Sequence, residues 1–583
     1  MTPWLAKLAQ TRVRHAVLAL AVALCLPTLG TGLAIDDYIL LSRMTQPASS
    51  GWAGSAPFDL FRWLDPAHDA DLIDGGGMPW WTFEAARCAF FRPLASLSHY
   101  LDYTLFGRDP HGMHLHSLLW FALLVWVASK AYTELLGQPW VAGLSAAMFA
   151  LNAAHGVPVS WISNRNALMA GALGIAAIHC HHRARRDKSF GFACAAWLYF
   201  ALALASGELA LGAAGYLLAY ALFYDQATPA KRLATLLPFA ALLGGWTFLH
   251  VQGDYGSYGI GAYLDPVAEP RAYLRELPVR FSVLMASQVG GLVSDLYALV
   301  PPRFAPLLAT AAFLVTALGA FFVAPALQRR STRFFVLGSA LSALPLAATI
   351  PADRLLVLTA FGAMPALALG IQAALRAPCG FYDVTRARIA AARRHVGLAL
   401  AGMHLVVSPV VLPIAALSTA VVANWTEQAE ASLPADASLP KQVLIVAAVP
   451  DSILLSYLPT MRAWSGKPNP ERLYWLDAMP GTAHFERRSE NRLRVSASHG
   501  LFDRRTEARG MRFALRPGDK VVLTEMTIEV LELNHAGLPS VCDFVFASPL
   551  DSLRYHWQTW RDGRLRDFEV PKLGESLWVK TTS

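Results

Sequence analysis

The chain has 583 residues, 55% of them hydrophobic and 15% charged, with a formal net charge of +8. Soluble domains carry about a quarter charged residues, so this composition excludes an ordinary soluble globular protein. The positive balance does not mark a nucleic-acid binder, because the basic residues fall in short clusters between apolar runs.

About 17 to 25 apolar residues are enough to cross a bilayer as a helix. Eleven windows meet or approach that length, near 15–34, 114–133, 139–155, 166–180, 190–206, 208–224, 233–251, 304–326, 334–350, 355–375 and 396–422. Lys7, Arg12 and Arg14 precede the first window. Further clusters follow the fourth (Arg183, Arg185, Arg186, Lys188), the sixth (Lys231, Arg232), the eighth (Arg329, Arg330, Arg333) and the tenth (Arg376, Arg386, Arg388, Arg393, Arg394). A cytoplasmic N-terminus puts every cluster on the inner side, as positive residues prefer. A bacterial cytoplasmic (inner) membrane is the expected location.

The first window ends in "GLAIDDYILLSRM", which sets Asp36 and Asp37 side by side at its outer mouth. The small residues of "TGLA" also suit a signal-peptide cleavage site. The many spans that follow favour an uncleaved first helix. A long outside loop, 34–113, comes next and closes with Arg92, Asp102, Arg108, Asp109, His111, His114 and His116. "HGVPVSWISNR" then brings His155 and Arg165 around Trp161, "SGELA" places Glu208 at a helix junction, and "PADR" places Asp353 and Arg354 at another. All of these belong to the outer face in the same topology.

"HCHHRARRDK" lies on the inner side, where His179, His181 and His182 read as an interfacial anchor, and no metal-ligand spacing is visible. Cys88 and Cys542 both fall outside, which admits a disulfide between them. Residues 252–303 are irregular, and their later part suits an interfacial helix or a re-entrant hairpin. Beyond residue 430 the character changes to short alternating stretches such as "DKVVLTEMTIEVLEL", bounded by turn residues. The domains expected are therefore a transmembrane part over 1–425, a linker over 426–440 and an extracytoplasmic, mostly β domain over 441–583.

Ionisable groups at a membrane are costly and are functional candidates by default. A carboxylate pair can take the proton of an attacking hydroxyl or amide. Arginines offer a fixed fork of donors to a departing phosphate. No glycine-rich nucleotide loop is present, so a lipid-borne phosphate sugar at the outer leaflet suits the donor better than a free nucleotide sugar.

At these residues the sequence resembles the membrane glycosyltransferases of the GT-C type, in particular the branch that includes the tetratricopeptide-containing protein O-mannosyltransferases. That branch has an acidic pair after its first helix, then aromatic-Arg-Pro-Leu, Leu-Asp-Tyr, Gly-x-Asp-Pro and a His. Here these are Asp36 and Asp37, Phe91 to Leu94, Leu101 to Tyr103, Gly107 to Pro110, and His114. A later signature is matched by His155, Val159, Trp161, Ile162 and Arg165, and "ADR" at Arg354 continues it. The chain departs where Asn152 and Ala153 replace His-Pro, where Val157 replaces Glu, where Gly207 replaces the Lys of Ser-Lys-Glu, and in having no tetratricopeptide repeats.

The resemblance implies a GT-C fold of about eleven transmembrane helices and transfer of a sugar from a polyprenyl phosphate to a lipid, glycan or protein acceptor with inversion. Asp36 or Asp37 is the candidate base. The resemblance assigns Arg92, Arg165 and Arg354 to the donor phosphate, and His155, Glu208, Asp102 and His114 to shaping the site. No cofactor is required by this reading, although an acidic pair is able to hold a divalent cation. The rival readings are a transporter or flippase for lipid-linked sugars and a membrane-anchored binding protein that acts through its β domain.

Overall fold

The computed structural model describes residues 7–45, 57–67, 69–290, 293–376, 384–434, 439–503 and 508–582. It is a largely helical membrane protein with a C-terminal domain built mostly of β-strands. Its contacts divide it into two compact units, one of residues 1–32, 90–254 and 265–419, the other of residues 33–89, 255–264 and 420–583.

The first unit is helical. Each apolar window of the sequence holds a helix, among them Thr11–Leu24, Pro110–Leu136, Pro139–Ala150, Arg165–Asp187, Phe190–Ser206, Leu211–Phe223, Leu237–Gln252, Ala305–Val323, Arg330–Leu346 and Val357–Arg376. By length and composition, six helices among the described residues can cross a membrane, or seven if the bent pair Pro139–Ala150 and Ala153–Ser160 is one span. Other windows yield helices that are shorter, such as Phe190–Ser206, or that end in a charged turn, such as Arg165–Asp187. The irregular stretch after residue 252 contains the helix Pro270–Val289, which packs against Ala305–Val323.

Membrane helices lack a hydrophobic drive to associate and rely on close packing, small residues and interhelical hydrogen bonds. Tyr132 stacks on Phe361 at 5.0 Å and donates its hydroxyl to the Phe361 carbonyl at 2.9 Å. Tyr216 donates to the Leu358 carbonyl at 2.7 Å. A Cβ at Gly338 would lie 2.1 Å from the Tyr216 ring, and one at Gly362 would lie 2.4 Å from the Phe335 carbonyl oxygen. Gly338 thus lets the helix Arg330–Leu346 approach Leu211–Phe223, and Gly362 lets Val357–Arg376 approach Arg330–Leu346.

The second unit gathers three separate pieces of chain. Strands β1 (Arg62–Leu64), β2 (Arg87–Ala89) and β3 (Gly256–Tyr258) form a small antiparallel sheet. The C-terminal part supplies β4 (Val443–Ala448), β5 (Arg472–Asp477), β6 (Gly481–Ser489), β7 (Arg492–Ser496), β8 (Lys520–Val522), β9 (Met526–Leu533), β10 (Pro539–Phe546), β11 (Tyr555–Arg561), β12 (Arg564–Asp567) and β13 (Ser576–Thr581). They form a six-stranded sheet of order β13-β6-β7-β10-β9-β8 and a four-stranded sheet of order β12-β11-β4-β5. Strand β9 alternates buried and half-buried residues, as a one-sided antiparallel strand should. Strand β4 is buried at all six positions because it runs parallel between β5 and β11. Its sequence, "VLIVAA", is therefore a continuous apolar run rather than an alternating one.

Residues of the loop after the first helix are part of this unit's core. Trp81 is fully buried, stacks on Phe502 at 4.8 Å and meets Trp475 edge-on, while Trp80 meets Phe544 edge-on. Asp74 accepts the Thr524 amide at 2.6 Å and the Arg472 guanidinium at 3.1 Å. The sequence boundaries assigned residues 34–113 to the transmembrane part, whereas residues 33–89 group with the C-terminal strands. Aromatic burial draws them there. The helix Ser408–Ala431 runs into the expected linker, of which residues 435–438 lie outside the described residues. Cys542 is a buried, free thiol, so the Cys88–Cys542 disulfide admitted by the sequence does not form.

Replacing Trp81 by Ala should cost the second unit about 3–5 kcal/mol. The expected reading is lost protease resistance across residues 441–583; unchanged resistance would contradict the shared core.

Candidate active site

The two acids of the opening motif have different surroundings. The helix Asp36–Thr45 begins at the pair itself, so both carboxylates sit at the positive end of its dipole. Asp37 is 2% exposed and accepts the Ala34 amide at 2.9 Å, which caps the turn. Asp36 is half-buried and accepts the Tyr457 hydroxyl at 2.6 Å. Ile35, immediately before them, has a φ of 34°. A β-branched residue in that region is strained, and such strain collects at functional sites.

The chain just ahead of the pair is held by His114, which is fully buried on the helix Pro110–Leu136. Its Nε2 lies 2.8 Å from the Gly32 carbonyl, to which it donates, and 3.2 Å from the Thr31 hydroxyl. His114 thus fixes the exit of the first helix within the first unit.

The first unit also contains the arginines. Arg165 opens the helix Arg165–Asp187 and is fully buried. It pairs with Asp102 at 2.5 Å and donates to Ser117 at 3.0 Å, Ser98 at 3.0 Å and the Met113 carbonyl at 2.7 Å. Trp120 donates to Nε2 of His116 at 3.1 Å, which leaves the His116 proton on Nδ1, facing Asp102 at 2.5 Å. Burial pushes the Asp102 carboxyl up, but the His116 hydrogen bond and the Arg165 charge outweigh it and hold the group below the usual range. His99, on the same helix Pro93–Phe106, is pushed down to about 3, first by burial and then by Arg165. For Arg165 to grip a donor phosphate, it would have to release one of these protein acceptors.

Arg92 and Glu208 pair at 2.8 Å and are half-buried. From sequence Glu208 had no cation near it; Arg92 supplies one from across the fold. The same guanidinium approaches Gly207, where its Nε would lie 3.7 Å from an added Cβ. Glu208 Oε1 is buried with no hydrogen-bond partner among the described residues. Arg354 lies with its guanidinium carbon 4.8 Å from the centre of the Trp161 ring. Its neighbour Asp353 accepts Ser287 and the Ser294 amide, each at 2.8 Å, and is pushed up by burial and then by the Asp295 carboxylate. His155 is fully buried, donates from Nε2 to the Phe149 carbonyl at 2.9 Å and leaves Nδ1 without a partner among the described residues.

The first unit therefore joins Asp102 to Arg165, and Arg92 to Glu208, and it sets the segment of His155 against that of Arg354. Asp36 and Asp37 belong to the second unit. Ser98, Ser117 and Tyr457 were not singled out from sequence. Serine and tyrosine so far apart in the chain leave no local pattern. Among the described residues no group of three or more His, Cys, Asp or Glu is placed to hold a metal ion.

No protein-family model matches the chain, and no curated protein matches it in sequence. Among solved structures it is similar to ArnT from Cupriavidus metallidurans bound to undecaprenyl phosphate, at 15% identity and a TM-score of 0.37, over 80% of this chain and 90% of that one. It is also similar to the same protein in the apo state, at 15% identity and a TM-score of 0.38, over 78% of this chain and 88% of that one.

Truncating Asp102 to Ala strands the buried Arg165 charge and should cost about 3–5 kcal/mol. Asp102→Ala combined with Arg165→Met removes both charges and should recover part of the lost thermal midpoint. On acidification the unfolded chain protonates His99 near its ordinary value of 6.5, while the folded chain resists down to about 3. More protons on the unfolded state means stability falls as pH drops through that window. A melting series from pH 7 to pH 4 checks the direction, and His99→Phe should flatten it.

Proposed function

We propose that this chain is an inverting membrane glycosyltransferase that moves a sugar from a polyprenyl-phosphate carrier to an acceptor on the outer side of the membrane. The observation that carries the reading is the unequal acid pair. Asp37 is consumed in capping its own turn, whereas Asp36 stands half-buried at the helix N-terminus after a strained Ile35.

In the proposed step Asp36 accepts the proton of the acceptor's hydroxyl or amide as that atom attacks the anomeric carbon. The bond from that carbon to the phosphate oxygen breaks, and the polyprenyl phosphate leaves with the electron pair. Its growing negative charge calls for cationic donors already in position. Arg92 and Arg354 are assigned this task, since both are partly exposed, and a phosphate can compete for Arg92 with the Glu208 carboxylate and for Arg354 with the Trp161 face. Arg165, by contrast, is assigned to holding the framework together with Asp102 and His116. His155, Glu208 and His114 shape the site. The scheme needs no cofactor, and the acceptor is a lipid, glycan or protein.

The test is a thermal-shift panel on detergent-purified protein with polyprenyl-phosphate sugars, free polyprenyl phosphate and nucleotide sugars. Stabilisation by a lipid-linked sugar at 100 times its Kd should reach about 2.7 kcal/mol, and Arg92→Ala and Arg354→Ala should reduce it. A flat panel from folded protein would favour the transport or binding-module readings.

A further inference from the structure

Asp36 is held by a residue 421 positions away in the chain: the Tyr457 hydroxyl donates to its Oδ1 at 2.6 Å. A hydrogen bond to a carboxylate is shorter and stronger than one between neutral groups. Given the transferase reading above, on which this inference rests, the geometry points to Tyr457 as the positioning residue of the catalytic base, delivered by the C-terminal domain. The domain thereby takes part in the reaction rather than merely covering it.

The placement of Tyr457 is well supported. It stands between the helical turns Ile453–Ser456 and Leu458–Trp464, in the crossover that joins the parallel strands β4 and β5. Its own carbonyl accepts the Thr460 hydroxyl at 2.7 Å. Arg462, in the second turn, is fully buried and donates to the Pro468 carbonyl at 2.8 Å and the Pro434 carbonyl at 2.7 Å. It also pairs with Glu430 at 3.3 Å, and Lys467 reaches the other oxygen of Glu430 at 2.6 Å. Glu430 closes the long helix Ser408–Ala431. A chain of buried polar contacts therefore runs from that helix through Arg462 to the turn that presents Tyr457.

One carboxylate oxygen fixed by a phenol limits rotation of the Asp36 side chain. The acceptor then meets a base already in register, which lowers the barrier without adding affinity for the donor. A purely structural tyrosine would instead act through folding.

The experiment uses the full chain in detergent, a polyprenyl-phosphate-linked hexose panel as donor, a host membrane extract as the acceptor pool, and release of polyprenyl phosphate as readout. Tyr457→Phe removes only the hydroxyl. The expected result is a kcat lowered about ten- to a hundredfold, with KM for the donor and the thermal midpoint unchanged. A kcat within twofold of wild type, alongside an inactive Asp36→Asn, would overturn the positioning role and leave the transferase reading intact. A kcat that falls only together with the thermal midpoint would also overturn it. Full activity in Asp36→Asn would instead defeat the transferase reading itself.

Discussion

Burial of Trp80 and Trp81 is the interaction on which the rest of the second unit depends. Two large aromatic side chains from the loop after the first helix are shared with Trp475, Phe502 and Phe544 of the C-terminal part. Each buries on the order of 150–250 Å². An aromatic contribution of that size makes the loop inseparable from the domain. Asp36, Asp37, these tryptophans and Tyr457 all belong to the second unit. The close approach at Gly76, where a Cβ would lie 1.6 Å from the Leu473 carbonyl oxygen, shows how tightly the loop lies on β5.

In the first unit the equivalent constraint is electrostatic. A fully buried arginine is tolerable only if its donors are met, and Arg165 meets them with a carboxylate, two hydroxyls and a carbonyl drawn from two other helices. The arrangement costs desolvation, but it sets the junctions of Pro93–Phe106, Pro110–Leu136 and Arg165–Asp187 in one geometry. The nearby pair of Arg92 and Glu208 is wetter and more adaptable. A buried framework pair and a more exposed pair thus stand in the same helical unit.

Much of the architecture was legible in the sequence because hydropathy is local. Apolar runs announce the membrane helices, and the change of composition beyond residue 430 announces the strands. Motif order also placed Asp36, Arg92 and Arg354 on the page. What stayed hidden depended on distance along the chain. Nothing near Glu208 foretells Arg92, nothing near Asp36 foretells Tyr457, and nothing near the tryptophans of "MPWWTF" foretells Phe502. Burial was equally silent: Asp36 and Asp37 are the same residue type side by side, yet Asp37 is buried and accepts the Ala34 amide while Asp36 is half-buried and accepts the Tyr457 hydroxyl. The grouping of residues 33–89 with the C-terminal strands was hidden for the same reason, since a loop's allegiance is decided by its packing and not by its neighbours in the chain.

In the proposed reaction a carboxylate base drives direct displacement of a polyprenyl phosphate. The anomeric configuration of the product reports this most directly, because a single displacement inverts the linkage and two successive ones restore it. Nuclear magnetic resonance of the glycosylated acceptor, compared with the configuration of the donor, should show inversion. Retention would contradict the account, since it would require a covalent intermediate or another nucleophile in place of the base at Asp36.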